Sequence, residues 1–175
     1  IIVEARDRMG GRIETLNYNE QKPIEMGATW LGKKHQNLVK LLAELKIETY
    51  DQVFGQRAIY EAISTSPPFL AELSPNADPS LRIKGGTFNI IETLSTYLNT
   101  EDLYLNEKVE AINLMDNKVH CVTSNNTFAA KKVVSTLPPN LLVNSIKFVP
   151  KLPEELLAVS KSTHTWMGES IKIAL

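Results

Sequence analysis

Apolar residues in this chain recur with the spacing of helices in some stretches and with the spacing of strands in others. Residues 37–46 carry leucines at i, i+3, i+4 and i+7, which predicts an amphipathic helix with Asn37 as its cap. Isoleucine and leucine at similar spacing predict a second helix, which Thr87 would cap. A shorter helix is predicted over residues 154–161, after two prolines.

Short apolar or alternating runs predict the strands. They cover residues 1–3, 13–18, 23–26, 47–50, 103–105, 109–114, 118–123, 127–134 and 168–175. Asp-Asn and Asn-Asn pairs separate the later strands and favour tight turns, because these residues tolerate left-handed backbone angles. Residues 103–134 are therefore expected to form a β-meander. Residues 51–82 contain four prolines among polar residues, which predicts a loop or a junction.

The composition is that of an ordinary soluble globular protein, with 43% hydrophobic and 22% charged residues in 175 positions. A formal net charge of -1 gives no electrostatic reason to expect nucleic acid or an anionic membrane surface as a partner. No apolar run approaches the length of about 18 residues that a membrane-spanning helix needs. The single cysteine, Cys121, excludes an intrachain disulfide and is compatible with a reducing compartment, so a cytoplasmic location is favoured.

Metal binding and serine hydrolysis have no support in the motifs. His35, His120 and His164 lack the close spacing of metal ligands, so we expect no metal site. No G-x-S-x-G turn that could carry a nucleophilic serine is present in the sequence. The candidate chemistry lies instead at the beginning of the chain.

Residues 1–12 read I-I-V-E-A-R-D-R-M-G-G-R. The branched residues predict a buried strand. Glu4 then lies at its carboxyl end, where open α/β sheets bind ligands and where an acid can accept both hydroxyls of a ribose. Gly11 permits close approach of the backbone to a ligand, and Arg12 offers donors for a phosphate. The pattern describes the ribose-binding second strand of a dinucleotide fold; on spacing alone, a structural strand end with a surface ion pair between Glu4 and Arg6 fits equally well.

The string E-A-R-D-R-M-G-G-R resembles the E-A-R-x-R-x-G-G-R segment of flavin-containing amine oxidases of the monoamine and polyamine oxidase family. Further strings are similar to motifs of that family in the same order: G-A-T-W, K-G-G-T-F-N-I-I, K-K-V-V-S-T-L-P-P and M-G-E-S-I-K-I-A-L. The resemblance covers residues 1–50 and 83–175.

The resemblance implies an α/β fold, namely a partial FAD/NAD(P)-binding Rossmann-like domain with an inserted β-meander. Residues 1–50 and 83–175 would form two parts of that domain, and residues 51–82 a remnant or junction of the substrate domain. Neither an initiator Met nor the G-x-G-x-x-G turn of such folds is present. This indicates a fragment, or a sequence with omitted segments, that lacks the first strand and most of the substrate domain. By itself the chain is expected to bind FAD poorly or not at all and to be inactive.

By the same resemblance, most candidate residues contact FAD, which would be held noncovalently. Glu4 would bind the adenosine ribose, and Arg12 would bind the pyrophosphate or the flavin-side region. Val109 would meet the adenine edge through its backbone. The remaining candidates approach the cofactor through their backbone or brace the loop beside it: Gly11, Ala28, Thr29 and Arg6.

Lys172 is the one candidate catalytic residue. It lies between Ile171 and Ile173 in a predicted strand, so alternation would place it on the opposite face from both isoleucines. Exposure of that face to solvent is the ordinary alternative. In the family, the matching lysine holds a water near flavin N5 and assists the reaction of the reduced flavin with oxygen, since a cation favours negative charge developing there.

The resemblance therefore implies an FAD-dependent oxidoreductase that oxidises an amine C–N bond, with a small-molecule amine and oxygen as its partners. Two alternatives stay open. One is another flavoprotein that shares the G-G-R block, such as a carotenoid desaturase or protoporphyrinogen oxidase relative. The other is a non-catalytic FAD-fold module that serves in interactions. The particular amine and the oligomeric state are not indicated by the sequence.

Overall fold

The computed structural model describes residues 1–17, 23–53, 55–61, 63, 65–74, 79–168 and 170–174. Contacts divide the chain into two compact units. Unit 1 comprises Ile1–Met9 and Leu98–Ile173, whereas unit 2 contains Gly10–Tyr97. The division of the chain by function into residues 1–50, 51–82 and 83–175 stays a prediction.

Groups of strands are separated by single helices along the described residues. The strands are β1 Ile2–Val3, β2 Thr15–Leu16, β3 Ile24–Glu25, β4 Thr49–Asp51, β5 Arg57–Tyr60, β6 Phe69–Glu72, β7 Leu81–Ile83, β8 Leu103–Tyr104, β9 Val109–Met115, β10 Lys118–Thr123, β11 Thr127–Ala130 and β12 Lys147–Val149. The helices are α1 Gln36–Glu44, α2 Asn89–Ser95, α3 Pro139–Ser145 and α4 Glu154–Ser162, with a 3-10 turn at Thr100–Asp102.

Unit 1 contains the predicted β-meander. Its sheet has the order β11-β10-β9-β12, with β9, β10 and β11 antiparallel and β12 parallel to β9. Asp116 and Asn117 form the turn between β9 and β10 with positive φ angles of 50° and 57°, which agrees with the turn expected from their short polar side chains. Separately, β1 pairs in parallel with β8, although Ile2 is exposed rather than buried as predicted.

Unit 2 is built around a small apolar core. Leu31, Leu42, Ile47, Ile83 and Ile90 are buried together, so helices α1 and α2 each contribute one residue. The antiparallel pair of β4 and β7 contributes Ile83 to this core. The helical spacing of leucines in residues 37–46 thus predicted the correct buried face of α1.

Both predicted helix caps are wrong. Asn37 lies inside α1, which begins at Gln36, and the residue before that helix makes no side-chain cap. Helix α2 begins at Asn89 after Phe88, again without a local side-chain cap. The amide groups before α2 are bound by side chains that are distant in sequence, as described below.

Several predicted strands and loops also require correction. The loop predicted over residues 51–82 is wrong in part, because β5, β6 and the start of β7 lie there and form antiparallel pairs. The strand predicted over residues 127–134 ends at Ala130. The strand predicted over 168–175 is not formed in described residues 170–174. Apolar content alone does not make a strand, since its backbone groups need a partner ladder.

The third predicted helix is confirmed as α4, whereas α3 and β12 were not predicted. Residues 18–22, which include the end of the strand predicted over 13–18, and positions 169 and 175 of the last predicted strand lie outside the described residues. In the part of the chain that the structure describes, no helix has the length and apolarity needed to cross a bilayer.

Candidate functional site

Glu4 lies just beyond strand β1, in a frame of main-chain hydrogen bonds within unit 1. Its amide donates to the carbonyl oxygen of Tyr104 at 2.8 Å, and its carbonyl oxygen accepts from the amide of Glu107 at 2.9 Å. The next bond joins the amide of Asn106 to the carbonyl oxygen of Arg6 at 2.9 Å. The strand tip is therefore held on one side by the segment that follows β8.

The Glu4 carboxylate closes a short turn. Its Oε1 accepts a hydrogen bond of 2.8 Å from the amide of Arg6, two residues ahead. Among the described residues, Oε1 is the one oxygen of this carboxylate that accepts a hydrogen bond. A carboxylate held in this way at a strand tip can still accept bonds from the hydroxyls of a sugar.

Glu107 has a buried carboxylate, with only 8% of the residue exposed. It accepts hydrogen bonds from the Thr123 hydroxyl and from Asn126 Nδ2 at 2.6 Å, with a longer contact to Asn125 Nδ2 at 3.5 Å. The Thr123 hydroxyl, followed by the two amides, lowers the pKa of Glu107, while burial opposes this shift. Glu107 carries no local signal in the sequence, because its partners come from a turn 16 to 19 residues away.

Val109 is the first residue of β9 and is half-buried. It lies opposite Thr123, next to a register shift between Val122 and Thr123. The candidate residue for the adenine edge is thus adjacent to the buried Glu107 network. Its role remains a prediction.

Arg12 and Ala28 lie side by side in unit 2. The amide of Ala28 donates to the carbonyl oxygen of Arg12 at 3.0 Å. The neighbouring amides of Met26 and Gly27 donate to the carbonyl oxygen of Glu14 at 2.8 and 3.1 Å. The structure therefore brings together two of the segments that the sequence analysis assigned to the cofactor.

Glycine is required at position 27 beside this contact and is favoured at position 11 by its backbone angle. A Cβ on Gly27 would lie 2.2 Å from the carbonyl oxygen of Arg12, so the two backbones could not approach as closely. Gly11 has a φ of +54°, and nothing lies within 4 Å of the position a Cβ would take. Thr29 Oγ1 donates to the carbonyl oxygen of Gly27 at 3.1 Å and braces the same turn.

Glu25 forms a second buried carboxylate network, in unit 2. Its Oε1 accepts from the amide of Thr87 at 2.6 Å, and its Oε2 accepts from the Thr15 hydroxyl at 2.9 Å. Thr15 Oγ1 in turn accepts from the amide of Phe88 at 3.0 Å. These bonds replace the predicted Thr87 cap and join the β2–β3 hairpin to the start of α2. Contacts over a separation of 62 residues gave no local signal in the sequence.

The candidate residues divide between the two units. Unit 1 contains Glu4, Arg6, Val109 and Lys172, and unit 2 contains Gly11, Arg12, Ala28 and Thr29. Lys172 is exposed in a segment without regular structure. Among the described residues, no group of three His, Cys, Asp or Glu side chains is arranged to hold a metal ion.

Taken separately in each unit, the candidate residues suit parts of a dinucleotide cofactor. The strand-tip carboxylate of Glu4 suits a ribose. The open side of Gly11 leaves its backbone accessible, and the Arg12 guanidinium suits a phosphate.

The buried Cys121 thiol has its pKa raised by burial, which disfavours the reactive thiolate.

A family model described as flavin containing amine oxidoreductase matches residues 1–66 and 64–175. Among curated proteins, flavin-containing amine oxidase B of Sus scrofa is 34% identical over 79 residues, and that of Homo sapiens is 33% identical over 79 residues. Each match covers 45% of this chain and only 15% of the relative.

Solved structures show the same fold over most of the chain. Cyclohexylamine oxidase from Brevibacterium oxydans IH-35A has a TM-score of 0.75 at 16% identity, and wild-type putrescine oxidase bound to putrescine has a TM-score of 0.74 at 15% identity. Both matches cover 91% of this chain, and they cover 56% of the first structure and 57% of the second. The predicted fold class is confirmed, and the chain spans little more than half the length of these structures.

Proposed function

Because the chain belongs to the flavin containing amine oxidoreductase family, we propose that it forms part of an FAD-dependent enzyme that oxidises the C–N bond of an amine and passes the electrons to oxygen. The family match confirms the predicted recognition, and the description of the family supports the predicted class of flavin-dependent oxidoreductase. The structural observation that carries the proposal is the bond between Ala28 and Arg12, which joins two segments assigned to the cofactor.

The chain's own residues would bind and orient the cofactor. Glu4 would accept the ribose hydroxyls from its strand tip, and Val109 would present its backbone to the adenine edge. Arg12 would neutralise phosphate charge through its guanidinium. The chemistry that a bound FAD would supply is removal of a hydride equivalent from the carbon next to the amine nitrogen.

Lys172 would act at the oxidative step. Its ammonium group would hold a water molecule by hydrogen bonding and favour negative charge developing on oxygen. Support for this role comes from the resemblance of M-G-E-S-I-K-I-A-L to the family's lysine segment. The exposure of Lys172 in this chain is compatible with either a solvent-facing or a ligand-facing position.

A small-molecule amine is the proposed substrate class. The related proteins are named as amine, putrescine and cyclohexylamine oxidases. Those names support an amine as the substrate but do not identify which amine. No substrate-binding residue is assigned among the described residues. Oxygen as the electron acceptor rests on the resemblance.

The visible spectrum of the purified full-length protein tests the proposal. We expect flavin absorption that is bleached by an amine without oxygen and recovers when air is admitted. Protein that remains colourless after incubation with FAD would contradict the cofactor. Yellow protein that a broad panel of amines cannot bleach would instead favour another flavoprotein that shares the G-G-R block.

A further inference from the structure

We propose that Glu107 is a positioning residue, which holds Glu4 in the orientation that binds the adenosine ribose. This inference rests on the proposed function, because Glu4 is a ribose ligand only if the protein binds a dinucleotide. It concerns Glu107, two positions before Val109, a residue to which the sequence assigned no role.

The connection between the two glutamates is direct. The amide of Glu107 donates to the carbonyl oxygen of Glu4 at 2.9 Å, and the preceding residue, Asn106, donates to the carbonyl oxygen of Arg6 at 2.9 Å. These two bonds hold both ends of the short turn in which the Glu4 carboxylate accepts from the Arg6 amide. A displacement of the Glu107 backbone would therefore reorient the Glu4 side chain.

The Glu107 side chain fixes that backbone from the other side. Its carboxylate is buried and receives donors from Thr123, Asn125 and Asn126, all in the region where β10 turns into β11. Thr123 is also buried, and its hydroxyl additionally receives the amide of Asn126 at 2.9 Å. The Glu107 residue thus connects the meander to the strand tip.

Burying a carboxylate charge costs free energy, because the lost hydration must be offset by hydrogen bonds within the protein. Joining two loops does not by itself need a charge. Here the offset comes from neutral donors in a tight turn, which lowers the pKa of the carboxyl and keeps it ionised near neutral pH. Ligand-binding groups need support of this kind, since their own rotamers must be locked by neighbours.

The test measures nucleotide affinity in the full-length apoprotein by calorimetric titration with FAD, ADP and riboflavin. Glu107→Ala and Thr123→Val should weaken binding of FAD and ADP by similar factors, about tenfold. Riboflavin affinity should not change, because it lacks the adenosine half. Glu107→Gln should restore part of the loss, since an amide oxygen can still accept from Thr123.

Glu110→Gln is the matched control, because it removes the same charge from an exposed position of the neighbouring strand. Its affinities should equal those of the wild type. If Glu107→Ala does not fold, Thr123→Val carries the test, since it keeps the carboxylate and removes the hydroxyl that donates to Glu107 and accepts from the amide of Asn126.

A variant series that lowers the melting temperature but leaves ADP affinity unchanged would overturn the positioning role. Loss of riboflavin affinity equal to the loss of ADP affinity would do the same. Wild-type protein that binds neither FAD nor ADP would overturn both this inference and the proposed function. Wild-type protein that binds FAD, shows the expected Glu107 effects and oxidises no amine would contradict the proposed function alone.

Discussion

The amide of Ala28 donates a 3.0 Å hydrogen bond to the carbonyl oxygen of Arg12, and Gly27 lies immediately beside this contact. Two backbones can approach so closely only because Gly27 has no side chain. This hydrogen bond joins the G-G-R loop to the G-A-T-W segment, so a side chain added at position 27 should disturb both segments.

Gly27→Ala should lower both the free energy of unfolding and the affinity for FAD. The new Cβ would lie 2.2 Å from the carbonyl oxygen of Arg12 and 2.7 Å from the amide nitrogen of Glu14, so the backbone must shift. Overpacking of this kind costs about 1–3 kcal/mol or more, measurable by chemical denaturation. Gly32→Ala is the control, because nothing lies within 4 Å of the position that its new methyl group would take. Equal effects at both glycines would contradict the importance of the close approach.

Glu25→Ala should destabilise the protein more than Glu25→Gln does. Alanine leaves the buried amide of Thr87 without its acceptor, which costs about 1–3 kcal/mol. Glutamine retains a carbonyl oxygen that can accept the same bond. Denaturant unfolding of both variants beside Glu44→Gln, an exposed change on α1, checks the prediction. It fails if Glu25→Ala unfolds at the same midpoint as the control.

The free energy of unfolding should fall as the pH drops below about 4.5, because the Glu107 carboxylate then takes up a proton. The folded pKa of Glu107 is held below its usual value of 4.5 by the Thr123 hydroxyl and the two asparagine amides. Its contribution is therefore present above pH 4.5 and is lost as pH falls through the lowered pKa. The difference in unfolding free energy between wild type and Glu107→Gln should be largest at neutral pH and shrink on acidification.

Glu110→Gln, measured in parallel, corrects for the change of one unit in net charge. A difference between wild type and Glu107→Gln that stays constant from pH 7 to pH 3 would contradict the lowered pKa.

Lys172→Met should slow reoxidation of the reduced enzyme by oxygen about tenfold or more, because a positioned cation stabilises developing negative charge. Anaerobic reduction by amine should change much less, since the lysine is not proposed to act in that step. Stopped-flow absorbance of the flavin separates the two reactions. Lys118→Met, at an exposed position of the meander, is the control. Equal slowing of both half-reactions would remove the proposed role.

Features that depend on neighbouring residues were predicted well from sequence. The leucine spacing of residues 37–46 identified the buried face of α1, because helix geometry alone brings i, i+3 and i+4 together. Asp116 and Asn117 identified the β9–β10 turn, because their own side chains make left-handed angles accessible. The strand ending before Glu4 was identified for the same local reason.

Features that depend on distant partners were predicted poorly. A terminal segment with alternating polarity around Lys172 was expected to be a strand, but described residues 170–174 form none. Conversely, β5 and β6 form a hairpin in a region where breakers predicted a loop. Strand formation depends on a partner ladder, which a single segment does not specify.

The sequence by itself determined the family's motifs, the order of the main elements and the candidate ligands Glu4 and Arg12, because these follow from residue type and short spacing. Only the tertiary structure decided which buried carboxylates join the segments around those ligands. Glu107 reaches the Thr123–Asn126 turn, and Glu25 reaches Thr87 across 62 positions. Each carboxylate is buried and needs donors that only the folded chain brings together, which is why neither could be identified from its neighbours in the sequence.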